Sequence, residues 1–276
     1  MSKVSLPGSL AVVTGAGSGI GRATAAALAA AGARVLVVDI DEAAAKETVE
    51  QLGSGHQAYA VDVSDQVAVT ELAATIEREH GVPDVVVNNA GIGMSGRFLD
   101  TTPADWDAII GVNLRGIVNG CAAFGPAMIA RGSGQVVNVS SGLGYVPTAE
   151  TPAYSATKAA ALSLSRSLRA DWAAKGVGVS VICPGFINTP IATNTRYLGD
   201  HGARTAEIAR KGFARAHSPN IVAKAIVSSV KRNRSVVPVG VESWAVWYAT
   251  RFLPTPVLDV VGRIVARGAE LRARRG

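Results

Sequence analysis

Short apolar runs alternate with helical patterns along most of the chain. Residues 10–14 (LAVVT), 34–39 (RVLVVD), 84–88 (DVVVN), 135–140 (QVVNVS) and 177–183 (VGVSVIC) are β-branched and nearly uninterrupted by polar groups. Residues 57–61 and 235–238 read as two weaker strands. Between them, residues 19–31, 42–52, 67–80, 103–131, 153–174 and 220–232 carry helical patterns, several of them rich in Ala. Continuous apolar strands alternating with helices predict a parallel sheet covered on both faces. Right-handed crossovers then give one doubly wound α/β sheet of about seven strands with helices on both faces. No Pro/Gly/Ser linker and no internal repeat divides the chain, which predicts a single domain. Residues 1–241 make its body, and 242–276 a C-terminal aromatic and amphipathic extension of it. Two stretches break the rhythm. Residues 187–217 show no clear strand and read as a long functional loop or lid. Residues 242–275 run past the last strand, with Trp244, Trp247, Tyr248 and Phe252, then Pro254 and Pro256, then an amphipathic run over 257–271.

Composition narrows the classes. Of 276 residues, 48% are hydrophobic and 17% charged, which excludes a disordered chain. No window of 18 apolar residues is free of charge and no apolar leader follows Met1, so neither a membrane span nor a signal peptide is expected. The only two cysteines, Cys121 and Cys183, lack metal-ligand spacing. No metal site is expected, and a reducing, cytoplasmic location fits. The net charge of +6 gathers at the end, in Arg263, Arg267, Arg272, Arg274 and Arg275. A solvated helix end explains this best. Anionic lipid is an alternative, and nucleic acid is not expected, because no aromatic platform is interleaved with those arginines.

The first strand runs into Thr14-Gly15-Ala16-Gly17-Ser18-Gly19-Ile20-Gly21 and then a helix. The common G-x-G-x-x-G spacing fails at Ile20; Gly15, Gly19 and Gly21 give G-x-x-x-G-x-G instead. Glycines there permit a tight turn and a close approach of backbone N–H groups to a pyrophosphate, and the helix adds its positive end. Asp39 ends the second strand, where a carboxylate accepts from an adenosine ribose 2′-OH and repels a 2′-phosphate. No Arg or Lys stands at Ser18, and Ile40 follows Asp39, so NAD is expected over NADP. Asp39 has a second reading as the cap of the next helix, a role Asp41 fills equally well.

Tyr154 and Lys158 are spaced i, i+4 and share one helix face. A lysine cation beside a tyrosine favours the phenolate and lowers its pKa from about 10. Counting 57–61 as the third expected strand, Ser140-Ser141 ends the fifth, Asn88-Asn89-Ala90-Gly91 the fourth, and Pro184-Gly185 the sixth. Asn113 is a polar residue inside an apolar helix, among Ile109, Val112 and Leu114.

These motifs together resemble the short-chain dehydrogenase/reductase family, in its single-domain branch with a Rossmann-type sheet. The resemblance runs from about Leu10 to Pro190: Thr14–Gly21, Asp62-Val63, Asn88–Gly91, Asn113, Ser141, Tyr154–Lys158 and Pro184–Pro190. It implies that Tyr154 is the general acid/base, that Ser141 hydrogen-bonds the substrate oxygen, and that Lys158 lowers the tyrosine pKa and holds the nicotinamide ribose. Asn113 would anchor a water linking Lys158 to solvent. Gly15, Ser18, Gly19, Ile20 and Gly21 would hold the pyrophosphate. Asp62 and Val63 would contact adenine, and Asn89, Ala90 and Gly91 the central ribose and phosphates. Pro184, Gly185, Ile187 and Thr189 would meet the nicotinamide end. The expected activity is NAD-dependent hydride transfer between a hydrophobic secondary alcohol and its ketone, by a homodimer or homotetramer. Met94, Leu143, Tyr145, Val146, Phe186, Ile191 and Tyr197 are the candidate pocket residues, with Arg196 and Arg204 as the only candidate anion clamps. Three readings of other kinds stand beside it: an extended-branch epimerase, a non-catalytic dinucleotide-binding regulator, and a membrane-surface lipid or steroid-type dehydrogenase. The stretch from residue 242 is expected to form a subunit interface, with a substrate lid or an interfacial membrane helix as alternatives.

Overall fold

Valine-rich strands bury both faces only when helices cover both, and the chain is arranged in that way. The computed structural model describes residues 4–258 and residue 260. In chain order the elements begin β1 (Leu10–Thr14), α1 (Gly19–Ala30), β2 (Arg34–Asp39), α2 (Glu42–Leu52), β3 (Gln57–Ala60), α3 (Gln66–His80), β4 (Val85–Asn88) and β5 (Met94–Ser95). Next come α4 (Pro103–Ile110), a π-helical segment (Gly111–Arg115), α5 (Gly116–Arg131), β6 (Gly134–Val139), α6 (Pro152–Trp172) and β7 (Val177–Pro184). The last are α7 (Ile191–Asn194), β8 (Arg196–Tyr197), α8 (Gly202–Ala214), α9 (Pro219–Arg232), β9 (Val236–Val239) and α10 (Val241–Phe252). The main sheet has seven strands in the order β3-β2-β1-β4-β6-β7-β9. Every pairing in it is parallel.

Alternation along each strand sorts the core into two layers. Ala11, Val13, Val35, Val37, Val85 and Val87 face α1, α2 and α9. Val12, Leu36, Val38, Val86 and Val136 face α3, α5 and α6. Each such fully buried side chain contributes about 1.5–3 kcal/mol. The order reverses between β1 and β4, so the carboxyl ends of those strands frame the crevice where such sheets bind ligands.

Side chains close the starts of α2, α3, α4 and α9. Asp41 accepts from Ala44 N at 3.1 Å, Asp65 from Val67 N at 2.8 Å, and Thr102 forms a reciprocal box with Asp105. Helix α1 differs: Ser18 makes no side-chain cap and its first turn carries no acid. Its N–H groups and positive end stay available beside the crevice.

The segment 187–217 departs from the expected loop. It holds α7, β8 and α8, and β8 pairs in parallel with β5 after β4. Helix α8 buries only Gly202, so its sequence carries little of a core-facing stripe. The continuous helix expected over 103–131 is present but contains the π-helical turn at Gly111–Arg115. This run is also the one described helix long and apolar enough, by length and composition, to cross a membrane. Ile109, Ile117, Phe124 and Met128 of the same run are packed into the core. Of the amphipathic run expected over 257–271, Val257, Leu258 and Val260 are described; the rest lies outside the described residues.

Candidate active site

The glycine turn is shaped by what touches it. Gly15 takes φ +62°, and a Cβ there would meet Ala90 Cα at 2.7 Å. A Cβ on Gly17 would lie 2.8 Å from Asp39 Oδ2, and one on Gly19 3.2 Å from the Thr189 side chain. The turn is thus pressed between the end of β4, the end of β2 and the Pro184–Pro190 loop, with no room for side chains. Asp39 Oδ2 accepts from Gly17 N at 2.8 Å, and Oδ1 from Asp41 N at 3.1 Å. Asp41 caps α2, so Asp39 is left at the strand end facing the turn. Arg22 donates to Gly17 O and is held by Glu47 at 2.7 Å.

Thr14 and Asn89 lock the β1 and β4 ends together. Thr14 Oγ1 accepts from Asn89 N at 3.0 Å and Ala90 N at 3.1 Å. Asn89 Nδ2 donates to Thr14 O at 2.9 Å and Gly15 O at 3.1 Å. The Asn89 side-chain nitrogen is therefore engaged in shaping the turn. Asp62 Oδ1 accepts from the Ser64 backbone and hydroxyl, each at 2.8 Å, and Val63 O accepts from Asn119 at 2.9 Å. Ile20 packs partly against the core, and the exposed Ser18 opens α1.

Tyr154, Lys158 and Ser141 meet at the carboxyl edge of β6. Lys158 is 3% exposed; its Nζ donates to Val139 O at 3.1 Å and lies 5.6 Å from the Tyr154 ring centre. Ser140 Oγ donates to Lys158 O at 2.6 Å. Ser141 Oγ accepts from Leu143 N at 3.2 Å, and Ser141 stands close enough to Tyr154 to oppose the rise of its pKa. Asn113 is fully buried in the π-helical turn: Oδ1 accepts from Ile92 N at 2.8 Å, and Nδ2 donates to Ile92 O at 3.0 Å. Its amide grips the chain just after Gly91 rather than standing open. A Cβ on Gly91 would lie 3.2 Å from Asn113 Oδ1 and 3.3 Å from Lys158 Nζ, so only glycine leaves that passage clear.

Burial dominates the electrostatics. It lowers the Lys158 pKa to about 8, opposed in part by Cys183. It raises Tyr154 above the usual phenol value, opposed by the Ser141 hydrogen bond. The scaffold alone therefore does not supply the lowered tyrosine pKa expected from the i, i+4 spacing, because desolvation outweighs the effect of Ser141. Cys183, beneath the site, is pushed up to about 12 by burial and is an inert thiol.

Pro184 ends β7, and Gly185 N donates to Val239 O at 2.8 Å. Ile187 bridges to His217, which ties the two ends of the 187–217 segment. Among the candidate pocket residues, Met94 is buried against Ile109 and Ala153, with Tyr154 packed on the same cluster. Phe186 is exposed and meets Phe213 edge-on at 5.8 Å, and Tyr145 meets Trp247 at 4.8 Å. Arg196 is no anion clamp, because it pairs with buried Asp105 at 2.9 Å.

A family model described as short chain dehydrogenase matches residues 9–197. The chain belongs to this family. The Mycobacterium tuberculosis (strain H37Rv) protein named Probable oxidoreductase EphD is 47% identical over 256 residues, covering 89% of this chain and 43% of that one. The chain thus spans less than half the length of that relative. The Putative oxidoreductase SadH of the same strain is 35% identical over 269 residues, 95% of this chain and 97% of the other. Among solved structures, a short chain dehydrogenase/reductase from Burkholderia phymatum in complex with NAD superposes with TM-score 0.80 at 29% identity, covering 90% of this chain and 93% of that one.

Within this short-chain dehydrogenase, the structure also adds residues that motif reading passes over. Glu242 Oε1 accepts from Phe186 N at 2.6 Å and Oε2 pairs with His217 at 3.2 Å, so α10 fixes the loop after β7. Ser243 Oγ donates to Cys183 O at 2.6 Å. These partners are 25 to 60 positions apart, and no local pattern announces them.

Proposed function

We propose that this short-chain dehydrogenase uses NAD to interconvert a hydrophobic secondary alcohol and its ketone, with Tyr154 as the general acid/base. The observation that carries the reading is the meeting of Tyr154, Ser141 and Lys158 at one strand edge, beside a side-chain-free glycine turn. The residues present fit a dinucleotide. Gly15, Gly17 and Gly19 let the turn pack against Ala90, Asp39 and Thr189 where a Cβ would crowd them, α1 opens without a cap, and Asp39 stands at the turn where it would accept from a ribose 2′-OH. The carboxylate favours NAD over NADP by repelling a 2′-phosphate. Arg22 does not offset it, being held by Glu47. The NAD-bound Burkholderia relative supports the same choice.

The bound dinucleotide supplies hydride transfer. The protein supplies the proton and the positioning. Tyr154 takes the hydroxyl proton in oxidation and returns it in reduction. Ser141 donates to the same oxygen and stabilises its developing charge. Lys158, its pKa lowered to about 8, stays cationic at neutral pH, and a cation there would favour the phenolate form of Tyr154. Ser18, Ile20 and Gly21 would meet the pyrophosphate, Asp62 and Val63 the adenine, Ala90 and Gly91 the central ribose. Pro184, Gly185, Ile187 and Thr189 would meet the nicotinamide end. Asn113 positions Gly91 through Ile92. Apolar Met94, Tyr145 and Phe186 suit a hydrophobic substrate. A homodimer or homotetramer in the cytoplasm accompanies this reading, consistent with two free buried thiols.

Replacing Tyr154 by Phe removes the proton carrier and little else. Turnover should fall by about 10²–10⁴-fold, while NADH affinity from fluorescence titration stays within a factor of about two. Retained turnover in Y154F would refute the assignment.

A further inference from the structure

The chain leaves the main sheet after β7 and comes back to the same place at His217, and one carboxylate holds both legs. Strand β7 ends at Pro184, and Gly185 N still bonds across to β9, at Val239 O, 2.8 Å away. Phe186 N, the next donor, goes to Glu242 Oε1 at 2.6 Å. On the return, His217 N donates to Phe186 O at 3.2 Å and Asn188 N to His217 O at 2.8 Å, around buried Ile187. The second Glu242 oxygen, Oε2, accepts from His217 Nε2 at 3.2 Å. Segment 187–217 is therefore a closed loop, and both of its legs are tied to the first turn of α10.

The carboxylate has a fitted seat. A Cβ on Gly185 would collide with Glu242 Oε1, and one on Gly240, at φ +94°, would lie 2.8 Å from it. Glycine at both positions leaves the seat open. The seat lies at the start of α10, whose positive end favours a carboxylate. Beside it, Ser243 Oγ donates to Cys183 O at 2.6 Å. That bond anchors the helix start to β7, so the seat belongs to the frame of the sheet and the loop is what it holds.

What the loop carries gives the tie its consequence. Asn188 alone separates buried Ile187 from Thr189. Thr189 stands against the glycine turn, so close that a Cβ on Gly19 would lie 3.2 Å from its side chain. Farther along, β8 pairs with β5, which continues the chain after β4. A shift at the base of the loop thus reaches the crevice within two residues. His217 and Glu242 both lie beyond the stretch 9–197 that the family model matches.

We propose that Glu242 is a positioning residue for the nicotinamide end of the dinucleotide. Its carboxylate closes the base of segment 187–217 and so sets where Gly185, Ile187 and Thr189 stand. This rests on the dinucleotide reading above.

The test compares NADH with ADP-ribose, which has every part of the dinucleotide except the nicotinamide ring. In the full chain, Glu242→Ala should weaken NADH binding by about tenfold and leave ADP-ribose affinity within a factor of about two, both read by calorimetric titration. Glu242→Gln keeps an acceptor for Phe186 N and should restore the ratio of the two affinities. Hydrogen exchange without ligand reads the base itself: amides over 186–188 and at 217 should exchange about tenfold faster in Glu242→Ala, with β1 and α1 unchanged. His217→Ala frees one leg and leaves Phe186 N bonded. It should move both readouts the same way by less, and it carries the test if Glu242→Ala does not fold. An unchanged ratio of NADH to ADP-ribose affinity overturns the positioning role, even where exchange at the base rises. Unchanged exchange at the base overturns the clamp itself. A wild type that binds neither NADH nor ADP-ribose refutes the dinucleotide reading and the positioning role with it, while the exchange result still judges the clamp.

Discussion

Replacing Lys158 by methionine should make the protein more stable at neutral pH while removing the cation beside Tyr154. Lys158 is 3% exposed, and burial lowers its pKa from 10.5 to about 8. Holding the charge there against that shift costs about 3 kcal/mol at neutral pH. Methionine fills nearly the same volume with a flexible apolar chain. What it loses is the hydrogen bond from Nζ to Val139 O, worth about 1 kcal/mol. The net gain is about 2 kcal/mol, or roughly 4–8 °C in Tm for a chain near this size. The sign with pH follows from proton counting. Below pH 8 Lys158 is charged in both folded and unfolded states, so the wild type bears the whole cost. Between pH 8 and 10.5 the unfolded state binds more protons, so wild-type stability rises with pH relative to the variant. Urea unfolding of both proteins at pH 7 and at about pH 9.5 reads the difference directly. The methionine variant should lead at pH 7, and the gap should close by about 2 kcal/mol at the higher pH. A variant less stable than wild type at pH 7, or a gap that does not move with pH, refutes the burial argument.

Asp39→Ala removes the carboxylate proposed to face the ribose and also releases Gly17 N. The ratio of NADH to NADPH affinity should fall by about 10–100-fold, measured by fluorescence titration of both dinucleotides; an unchanged ratio removes Asp39 from cofactor choice. Asn113→Ala strands the part-buried N–H and C=O of Ile92, which together cost about 1–3 kcal/mol. Chemical denaturation checks this, and an unchanged midpoint would mean that Ile92 finds other partners.

The sheet was readable because parallel strands covered on both faces must be unbroken valine-rich runs. β1, β2, β4, β6 and β7 each satisfy this and are found within a residue or two of the expected ends. The chemistry was readable for a related reason. Tyr154 and Lys158 are linked by helix geometry alone, and the glycine turn by backbone sterics alone. Tertiary terms were not readable. β5 and β8 are two residues each, too short for any period, and α8 buries only its first glycine. The π-helical turn has no composition of its own. The direction of the Tyr154 shift could not be read from spacing, because desolvation depends on what covers the ring. The partners of Asn89 and Glu242 are likewise set by how the sheet brings distant loops together.

Asn113 and Lys158 are both buried polar residues beside Gly91, and burial alone does not distinguish them. Their hydrogen bonds do. Asn113 exchanges an acceptor and a donor with one backbone unit, so its polarity is matched inside the fold. Lys158 carries a full charge with one carbonyl as its recorded hydrogen-bond partner among the described residues. The first arrangement repays its desolvation through structure, and the second does not. Removal should therefore change stability in opposite directions: a loss for Asn113→Ala and a gain for Lys158→Met. A residue whose removal stabilises the fold is kept for something other than folding. At this edge that is the proposed chemistry of Tyr154, whereas Asn113 holds the chain at Ile92.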